Sequence, residues 1–180
     1  MTTRTLLLLR HARTVPARPG EGDHARALYP GGHRDAALIA RTIAEDCPRP
    51  DLILSSTARR TREMSAAVLA AFALPPPILY EDALYLAEVP DILARLARLD
   101  AGVGAALVVG HNPGLEDAAR LLAGTGEMEA RMALSAGMPP GALAMIAFDA
   151  GDWRGARPGA GRLLSFVTPQ TAQERGRADS

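Results

Sequence analysis

The chain has 180 residues, of which 48% are apolar and 22% are charged, and this composition excludes a wholly disordered protein. Twenty basic residues, all of them arginine, balance twenty acidic residues. No overall charge therefore draws the chain to nucleic acid or to an anionic membrane, and a single cysteine, Cys47, excludes a disulfide framework.

The first apolar run, residues 6–9, is followed at once by Arg10 and His11. It is far shorter than the core of a signal peptide, and no small-residue cleavage site follows it. No apolar stretch approaches the roughly 20 residues that cross a bilayer. We therefore expect a cytoplasmic protein without membrane contact.

Short apolar runs alternate along the chain with segments of helical periodicity. The runs lack helical spacing, which is typical of buried strands. They lie at residues 5–9, 52–54, 106–109, 143–148 and 163–168. Between them, apolar residues at i, i+3, i+4 and i+7 predict helices around residues 36–43, 64–72, 90–99 and 115–122. This alternation predicts a three-layer α/β/α sandwich with a mostly parallel central sheet.

Glycine and proline clusters predict the loops between these elements. The clusters lie at residues 15–22, 75–77, 124–126, 139–141 and 151–161. All are short enough to belong to one domain, and we expect that domain to span residues 1–169. Residues 170–180 are polar and lack an apolar period, so we expect a flexible C-terminal tail.

Histidine and arginine side chains follow three of the predicted strands. His11 follows the first strand, the arginine-rich residues 59–62 follow the second, and His111 follows the strand that ends at Val109. Ligands of open parallel sheets bind at the carboxyl ends of the strands, where helix N-termini add free amides. Because the arginine fork matches phosphate oxygens, the sequence predicts a local site for a phosphoryl group.

A histidine among arginines has its cationic form disfavoured, which leaves a lone pair for attack on phosphorus. Each feature also has a plain structural interpretation. A histidine at a strand end can be hydrogen-bonded within the fold, and residues 59–62 can form a solvated helix face. Their joint occurrence at three strand ends favours the phosphoryl site.

The motif Leu-Leu-Leu-Leu-Arg-His-Ala-Arg at residues 6–13 resembles the Arg-His-Gly signature of the histidine phosphatase superfamily, which includes the cofactor-dependent phosphoglycerate mutases. The chain is similar in particular to small bacterial phosphohistidine phosphatases of the SixA type, in which Arg-His-Ala is common. The resemblance continues in order through residues 23–36, 50–63, 83–85, 109–116 and 166–169. It implies a phosphoglycerate mutase-like fold.

The resemblance also implies the roles of four residues. His11 would accept the phosphoryl group, Arg10 would bind it, and His111 would hold the transferring oxygens. The family pattern Ser-Pro-x-x-Arg reads Ser-Thr-Ala-Arg-Arg at residues 56–60, which selects Arg60 as the second phosphate arginine. No metal and no cofactor are expected.

The chain departs from the family pattern at Ala12, which replaces the usual glycine, at Thr57, which replaces proline, and at Met64, which replaces threonine. Larger family members also supply a carboxylate general acid from an insertion that has no clear match here. Glu81 and Asp82 lie in roughly the right region and are the candidate acids, although exposed carboxylates are their plainer interpretation.

The absence of a clear match for the insertion that carries the general acid bears on the substrate. An alkoxide leaving group needs a proton from a positioned acid, whereas a protonated phosphoramidate nitrogen departs readily. The short chain also leaves little material for a lid over a small molecule. We therefore expect a metal-independent phosphatase that acts on phosphohistidine of a protein.

Three alternatives stay open at this point. The first is a phosphatase of small phosphorylated molecules that uses the same pocket, and the second is a phosphate-binding module without catalysis. The third is a metallophosphatase with His11 and His111 as metal ligands beside Asp23 or Asp117, which the neighbouring arginines disfavour electrostatically. Arg26 is the first candidate for a further substrate contact, because its loop can reach the rim; Arg13 and Arg62 are open in this respect.

Overall fold

A central sheet of seven strands organises the computed structural model, which describes residues 2–178. In chain order the strands are β1 (Thr3–Arg10), β2 (Leu52–Ser56), β3 (Ile78–Glu81), β4 (Ala105–Gly110), β5 (Ala123–Gly126), β6 (Leu143–Asp149) and β7 (Gly161–Val167). Across the sheet their order is β3-β2-β4-β1-β6-β7-β5. Among these strands β6 alone runs against its neighbours, so the predicted mostly parallel sheet is confirmed.

Helices cover both faces of the sheet. In chain order they are α1 (Pro30–Asp46), α2 (Arg59–Ala70), α3 (Val89–Leu96), α4 (Gly114–Leu122), α5 (Met128–Ser135) and α6 (Pro169–Ala178). Helices α1, α2 and α6 pack on one face, and α3, α4 and α5 pack on the other. The three-layer α/β/α sandwich predicted from the sequence is therefore confirmed. Within residues 2–178, no helix is both long and apolar enough to span a bilayer.

Strand β1 is buried on both faces. Leu6 and Leu8 belong to the core beneath α3, α4 and α5, whereas Leu7 and Leu9 belong to the core beneath α1 and α2. Burial on both faces explains why residues 6–9 form a continuous apolar run rather than an alternating one. Each buried leucine contributes about 2 kcal/mol, and this central strand delivers His11 to the carboxyl edge of the sheet.

Residues 124–126 were predicted as a loop, but they belong to strand β5, which pairs with β7 at one edge of the sheet. A Cβ atom at Gly124 or Gly126 would collide with the backbone carbonyl of Gly159 or Leu163. The glycines therefore permit a close approach between the strands instead of breaking the element. Strand β3 and helix α5 were also not predicted.

Residues 170–178, for which a flexible tail is expected from the sequence, belong to helix α6. Thr168 precedes the helix, and its Oγ1 accepts a hydrogen bond of 3.2 Å from the backbone amide of Thr171. Pro169 suits the first helical position, where no amide hydrogen is needed. Ala172 is buried against the core of α1. Residues 179 and 180 of the expected tail lie outside the described residues.

Candidate active site

The histidines and arginines predicted from the strand ends come together at one edge of the sheet. Strands β1 and β4 are parallel neighbours with Arg10 opposite Gly110, so His11 and His111 leave the sheet side by side. Their ring centroids lie 5.3 Å apart. Arg60 lies in the first turn of α2, which follows β2 on the other side of β4. Three distant stretches of the chain thus form one cluster.

His11 has an available lone pair on Nε2. Its Nδ1 lies 2.7 Å from the backbone oxygen of Ala12, and because a carbonyl oxygen only accepts, Nδ1 donates. The ring proton therefore lies on Nδ1. Burial is the main cause that lowers the pKa of His11 from 6.5 to about 4, and three guanidinium groups add to it, those of Arg60, Arg10 and Arg26. His11 is consequently neutral near pH 7.

The His111 ring is buried beside that of His11. The residue is 3% exposed, and its Nε2 lies 2.8 Å from Oγ of Ser56. That oxygen also accepts from the amide of Ala58 at 3.3 Å. Nδ1 of the His111 ring is buried without a partner among residues 2–178. Burial and the charge of Arg60 lower the pKa of His111 to about 3, which keeps the ring neutral.

Arg10 has hydrogen-bonding capacity left for a ligand. Its NH1 donates to the backbone oxygen of Met138 at 2.7 Å, while its Nε is buried without a partner in the described part of the chain. Glu116 holds the loop that supplies this oxygen, because Oε2 accepts from the amide of Met138 at 2.9 Å and from Nδ2 of Asn112 at 2.8 Å. A buried polar atom without a partner is costly, and Arg10 and His111 each have one within residues 2–178.

Arg60 is held by Asp23 at the edge of the cluster. Its NH1 donates to the backbone oxygen of Asp23 at 2.7 Å and its NH2 to the carboxylate at 2.9 Å. The same carboxylate accepts from the hydroxyl of Tyr85 at 2.7 Å and from NH1 of Arg26 at 2.9 Å. These contacts, the bond from Tyr85 above all, hold the pKa of Asp23 far below its usual range. Asp23 is therefore ionised and cannot donate a proton near pH 7.

The other three arginines considered from the sequence lie around this cluster. Arg26 donates to the backbone oxygen of Val15 as well as to Asp23, and its charge acts on His11. Arg13 forms an ion pair of 2.9 Å with Asp35. Arg62 donates to the backbone oxygen of Thr57 at 2.9 Å.

Both candidate general acids are bound to other residues. Glu81 forms a two-pronged ion pair with Arg95, with N–O distances of 2.8 and 2.9 Å. Asp82 accepts a hydrogen bond of 2.5 Å from the hydroxyl of Thr57. Oγ1 of Thr57 also lies 3.0 Å from Nε2 of His24, so Asp82 reaches the cluster only through two intermediates.

Sequence reasoning missed the parts that Asp23, His24 and Tyr85 play. The ring of Tyr85 lies edge-on to that of His111 at 5.4 Å, and the ring of His24 lies 4.9 Å from Tyr85. All three residues lie in loops or short 3-10 turns, where no periodicity marks them. Asp23 was considered only as a metal ligand, and within residues 2–178 no group of three or more His, Cys, Asp or Glu side chains is arranged to hold a metal ion.

The fold and sequence are similar to a protein of known structure, the candidate phosphohistidine phosphatase SixA from Agrobacterium tumefaciens. The two chains are 35% identical, the match covers 92% of this chain and 98% of that one, and the TM-score is 0.77. The chain belongs to the histidine phosphatase superfamily. As a histidine phosphatase it is a hydrolase, and the predicted phosphoglycerate mutase-like fold is confirmed.

This histidine phosphatase has further relatives. The candidate phosphohistidine phosphatase SixA from Nakamurella multipartitia has a TM-score of 0.80 at 28% identity, with 94% of this chain and 98% of that one covered. An uncharacterized protein of Mycobacterium tuberculosis is 33% identical over 164 residues, which are 90% of this chain and 100% of the relative. No family model matches the chain.

Proposed function

We propose that this histidine phosphatase removes phosphate from phosphohistidine on a protein, through a phosphohistidine formed on its own His11. The observation that carries the proposal is the pairing of His11 and His111. A neutral His11 has its Nε2 lone pair free, and the His111 ring beside it has a buried Nδ1 without a partner among residues 2–178. One histidine is thus suited to attack phosphorus, and the other to bind a phosphoryl oxygen.

The reaction has two in-line steps. In the first, Nε2 of His11 attacks phosphorus, a P–N bond forms, and the bond from phosphorus to the substrate nitrogen breaks. In the second, water attacks the same phosphorus and the bond to His11 breaks, which releases inorganic phosphate. The Arg10 and Arg60 guanidinium groups and the His111 ring stabilise the equatorial oxygens through both steps. Phosphoryl transfer depends mainly on such positioning and charge stabilisation.

The carboxylates around the cluster support a P–N rather than a P–O substrate. Asp23 is ionised by its three hydrogen-bond donors, Glu81 is paired with Arg95, and Asp82 is bonded to Thr57. Each of these three carboxylates is engaged by a donor within the chain rather than held ready for an alkoxide leaving group, whereas an imidazole nitrogen departs without such an acid at the bridging atom. The solved relatives from A. tumefaciens and N. multipartitia are named as candidate phosphohistidine phosphatases.

The exposed rim supports a protein rather than a small molecule as the carrier of the phosphohistidine. Asp23 and His24 are exposed, and Leu86, next to Tyr85, is 52% exposed. An apolar side chain beside charged groups at the mouth of a site suits contact with a protein surface. We include Arg26, which borders the same opening, among the residues that contact the substrate.

The test is phosphate release, in excess chelator, from a phosphohistidine-bearing protein and from p-nitrophenyl phosphate. We expect the native enzyme to act on the phosphohistidine protein and His11→Asn to lower this rate by at least about 1000-fold. His33→Asn is the matched control, because His33 is an exposed histidine of α1. Activity on the ester alone would instead assign a small-molecule phosphatase, inhibition by the chelator would favour the metal alternative, and activity on neither substrate would leave a phosphate-binding module.

A further inference from the structure

His24, Thr57 and Asp82 form a hydrogen-bonded chain at the rim of the site. Oγ1 of Thr57 lies 2.5 Å from Oδ1 of Asp82 and 3.0 Å from Nε2 of His24. A carboxylate only accepts, so the single hydroxyl hydrogen of Thr57 points to Asp82. Thr57 must then accept from His24, which fixes a proton on Nε2. The other ring nitrogen, Nδ1, takes no part in this chain of hydrogen bonds.

His24 stands at the outer end of a row of four rings that begins at the nucleophile. The centroid distances along the row are 5.3 Å from His11 to His111, 5.4 Å from His111 to Tyr85, and 4.9 Å from Tyr85 to His24. The preceding residue, Asp23, is bonded through its backbone oxygen and its carboxylate to Arg60. His24 is therefore anchored beside a phosphate arginine, but two rings away from His11.

This position suits one atom of a phosphohistidine substrate. The phosphoryl group is on one ring nitrogen, and the second nitrogen lies on the opposite side of the ring, away from phosphorus. If the second nitrogen gains a proton as the P–N bond breaks, the ring leaves as neutral imidazole rather than as the much poorer imidazolate. An acid for this proton must therefore stand away from the phosphoryl group, at the rim.

We propose that His24 is a catalytic residue that, as the doubly protonated imidazolium, donates the proton on Nδ1 to the distal nitrogen of the leaving imidazole and keeps the proton on Nε2. This inference rests on the proposed function. As the electron pair of the P–N bond moves to the substrate ring, the proton moves from His24 to the distal nitrogen, and the new bond forms between phosphorus and Nε2 of His11. The exposed His24 regains its proton from solvent before the next turnover.

Thr57 and Asp82 are positioning residues in this proposal. The carboxylate of Asp82 orients the Thr57 hydroxyl, and Thr57 fixes the orientation of the His24 ring and the proton on its Nε2. Thr57 stands where the family pattern has proline, which has no hydroxyl. The departure at this position therefore gives the chain a hydrogen bond that the usual residue could not make. Asp82, considered from the sequence as a direct acid, acts through two intermediates.

The test is rapid-quench measurement of the first step, the transfer of phosphate to His11, with a phosphohistidine protein and with p-nitrophenyl phosphate. The nitrophenolate leaves without a proton. We expect His24→Ala to slow transfer from phosphohistidine by roughly 100-fold and to leave transfer from the ester within about twofold. Added imidazole restores part of the His24→Ala rate and does not accelerate the native enzyme.

Two variants of Thr57 test the chain itself. Thr57→Val removes the hydroxyl at nearly the same shape, and we expect it to slow transfer from phosphohistidine by about fivefold, whereas Thr57→Ser keeps the native rate. Equal losses on both substrates in His24→Ala, or no loss on either, would overturn the proposal. A native enzyme that transfers phosphate from the ester but not from phosphohistidine would instead overturn the proposed function.

Discussion

The floor and the rim of the site are built in different ways. The floor consists of His11, His111, Arg10 and Arg60, which end strands or begin the helix after one, so the parallel sheet brings them together. The rim consists of Asp23, His24, Thr57, Tyr85 and Leu86, which lie in loops and short turns and are joined mainly by side-chain hydrogen bonds. Backbone register therefore positions the residues of the phosphoryl chemistry, while side-chain contacts shape the part of the site that is proposed to meet the leaving group.

Arg60 joins the two regions, so its removal has the largest effect among the variants that keep the nucleophile. Arg60→Gln removes a charge from the floor and both bonds to Asp23 in the rim. We expect kcat/KM to fall by roughly 100-fold to 1000-fold. The matched control is Arg59→Gln, because Arg59 is exposed and bonded to Glu63, and it should stay within about twofold. Equal losses of kcat/KM in both variants would contradict the separate role of Arg60, provided that thermal unfolding measurements show both variants to be folded.

The pKa of His11 indicates whether the floor of the site is shielded from water. With a pKa of about 4, His11 is almost fully neutral at pH 5.5, whereas an ordinary histidine would be only roughly one tenth neutral. We expect the His11 ring signals in an NMR titration, assigned with His11→Asn, to change near pH 4. A midpoint near 6.5 would show that the floor is not desolvated as described.

The same shift affects stability. The unfolded chain binds a proton at this histidine with a pKa of 6.5, and the folded chain binds it only near 4. Between these values the unfolded state holds more protons, so the free energy of unfolding should fall as the pH decreases from about 6.5 to about 4, and this contribution vanishes above 6.5. His111, with a pKa of about 3, acts in the same direction. Urea titrations at several pH values measure the trend.

The variant Glu116→Gln tests whether the floor depends on the hydrogen bonds that hold the Met138 loop. Glu116→Gln weakens the bonds to the Met138 amide and to Asn112, and with them the carbonyl that orients Arg10. We expect about a fivefold loss of kcat, because each bond to a charged group contributes somewhat more than an ordinary hydrogen bond. Asp117→Asn on the same helix is the control. Full activity in Glu116→Gln would mean that Arg10 is positioned by its own strand alone.

Leu86 gives the smallest effect and concerns the rim alone. It has a positive φ of 50°, a conformation that costs a leucine roughly 1 kcal/mol and that asparagine tolerates better. Its side chain is 52% exposed, so little apolar burial is lost. We expect Leu86→Asn to raise the free energy of unfolding by about 0.5 kcal/mol in urea titration. A clear loss of stability would show that the leucine side chain packs more than its exposure indicates.

Much of the floor could be predicted because its signals are local. The apolar run at residues 6–9 identifies a buried strand, and the residue after a parallel strand must lie at the carboxyl edge. His11 and His111 were therefore expected at one edge, where their rings lie 5.3 Å apart. Helix α6 could also have been predicted from the capping pattern that Thr168, Pro169 and Thr171 form. It was not predicted because its residues are polar and show no apolar periodicity.

The rim could not be predicted because its contacts join residues far apart in sequence. Asp23 is hydrogen-bonded to Arg60, 37 positions away in the sequence, and to Tyr85, 62 positions away. No periodicity of the sequence predicts hydrogen bonds between such distant residues. The environment of Glu81 likewise depends on a contact that the sequence does not indicate. Its position in the sequence favoured an acid, but the helix α3 places Arg95 against it, a pairing that depends on the packing of two elements.

Trapping the phosphoenzyme tests most directly whether His11 is the residue that accepts the phosphoryl group. The native enzyme would be mixed with a phosphohistidine-bearing protein in excess chelator, quenched in base within milliseconds, where phosphohistidine is retained, and digested for mass spectrometry. We expect phosphate on the peptide that contains His11, and none on that peptide in His11→Asn. Phosphate on another residue of the enzyme, or release of phosphate by His11→Asn at the native rate, would contradict the assignment of His11 as the nucleophile.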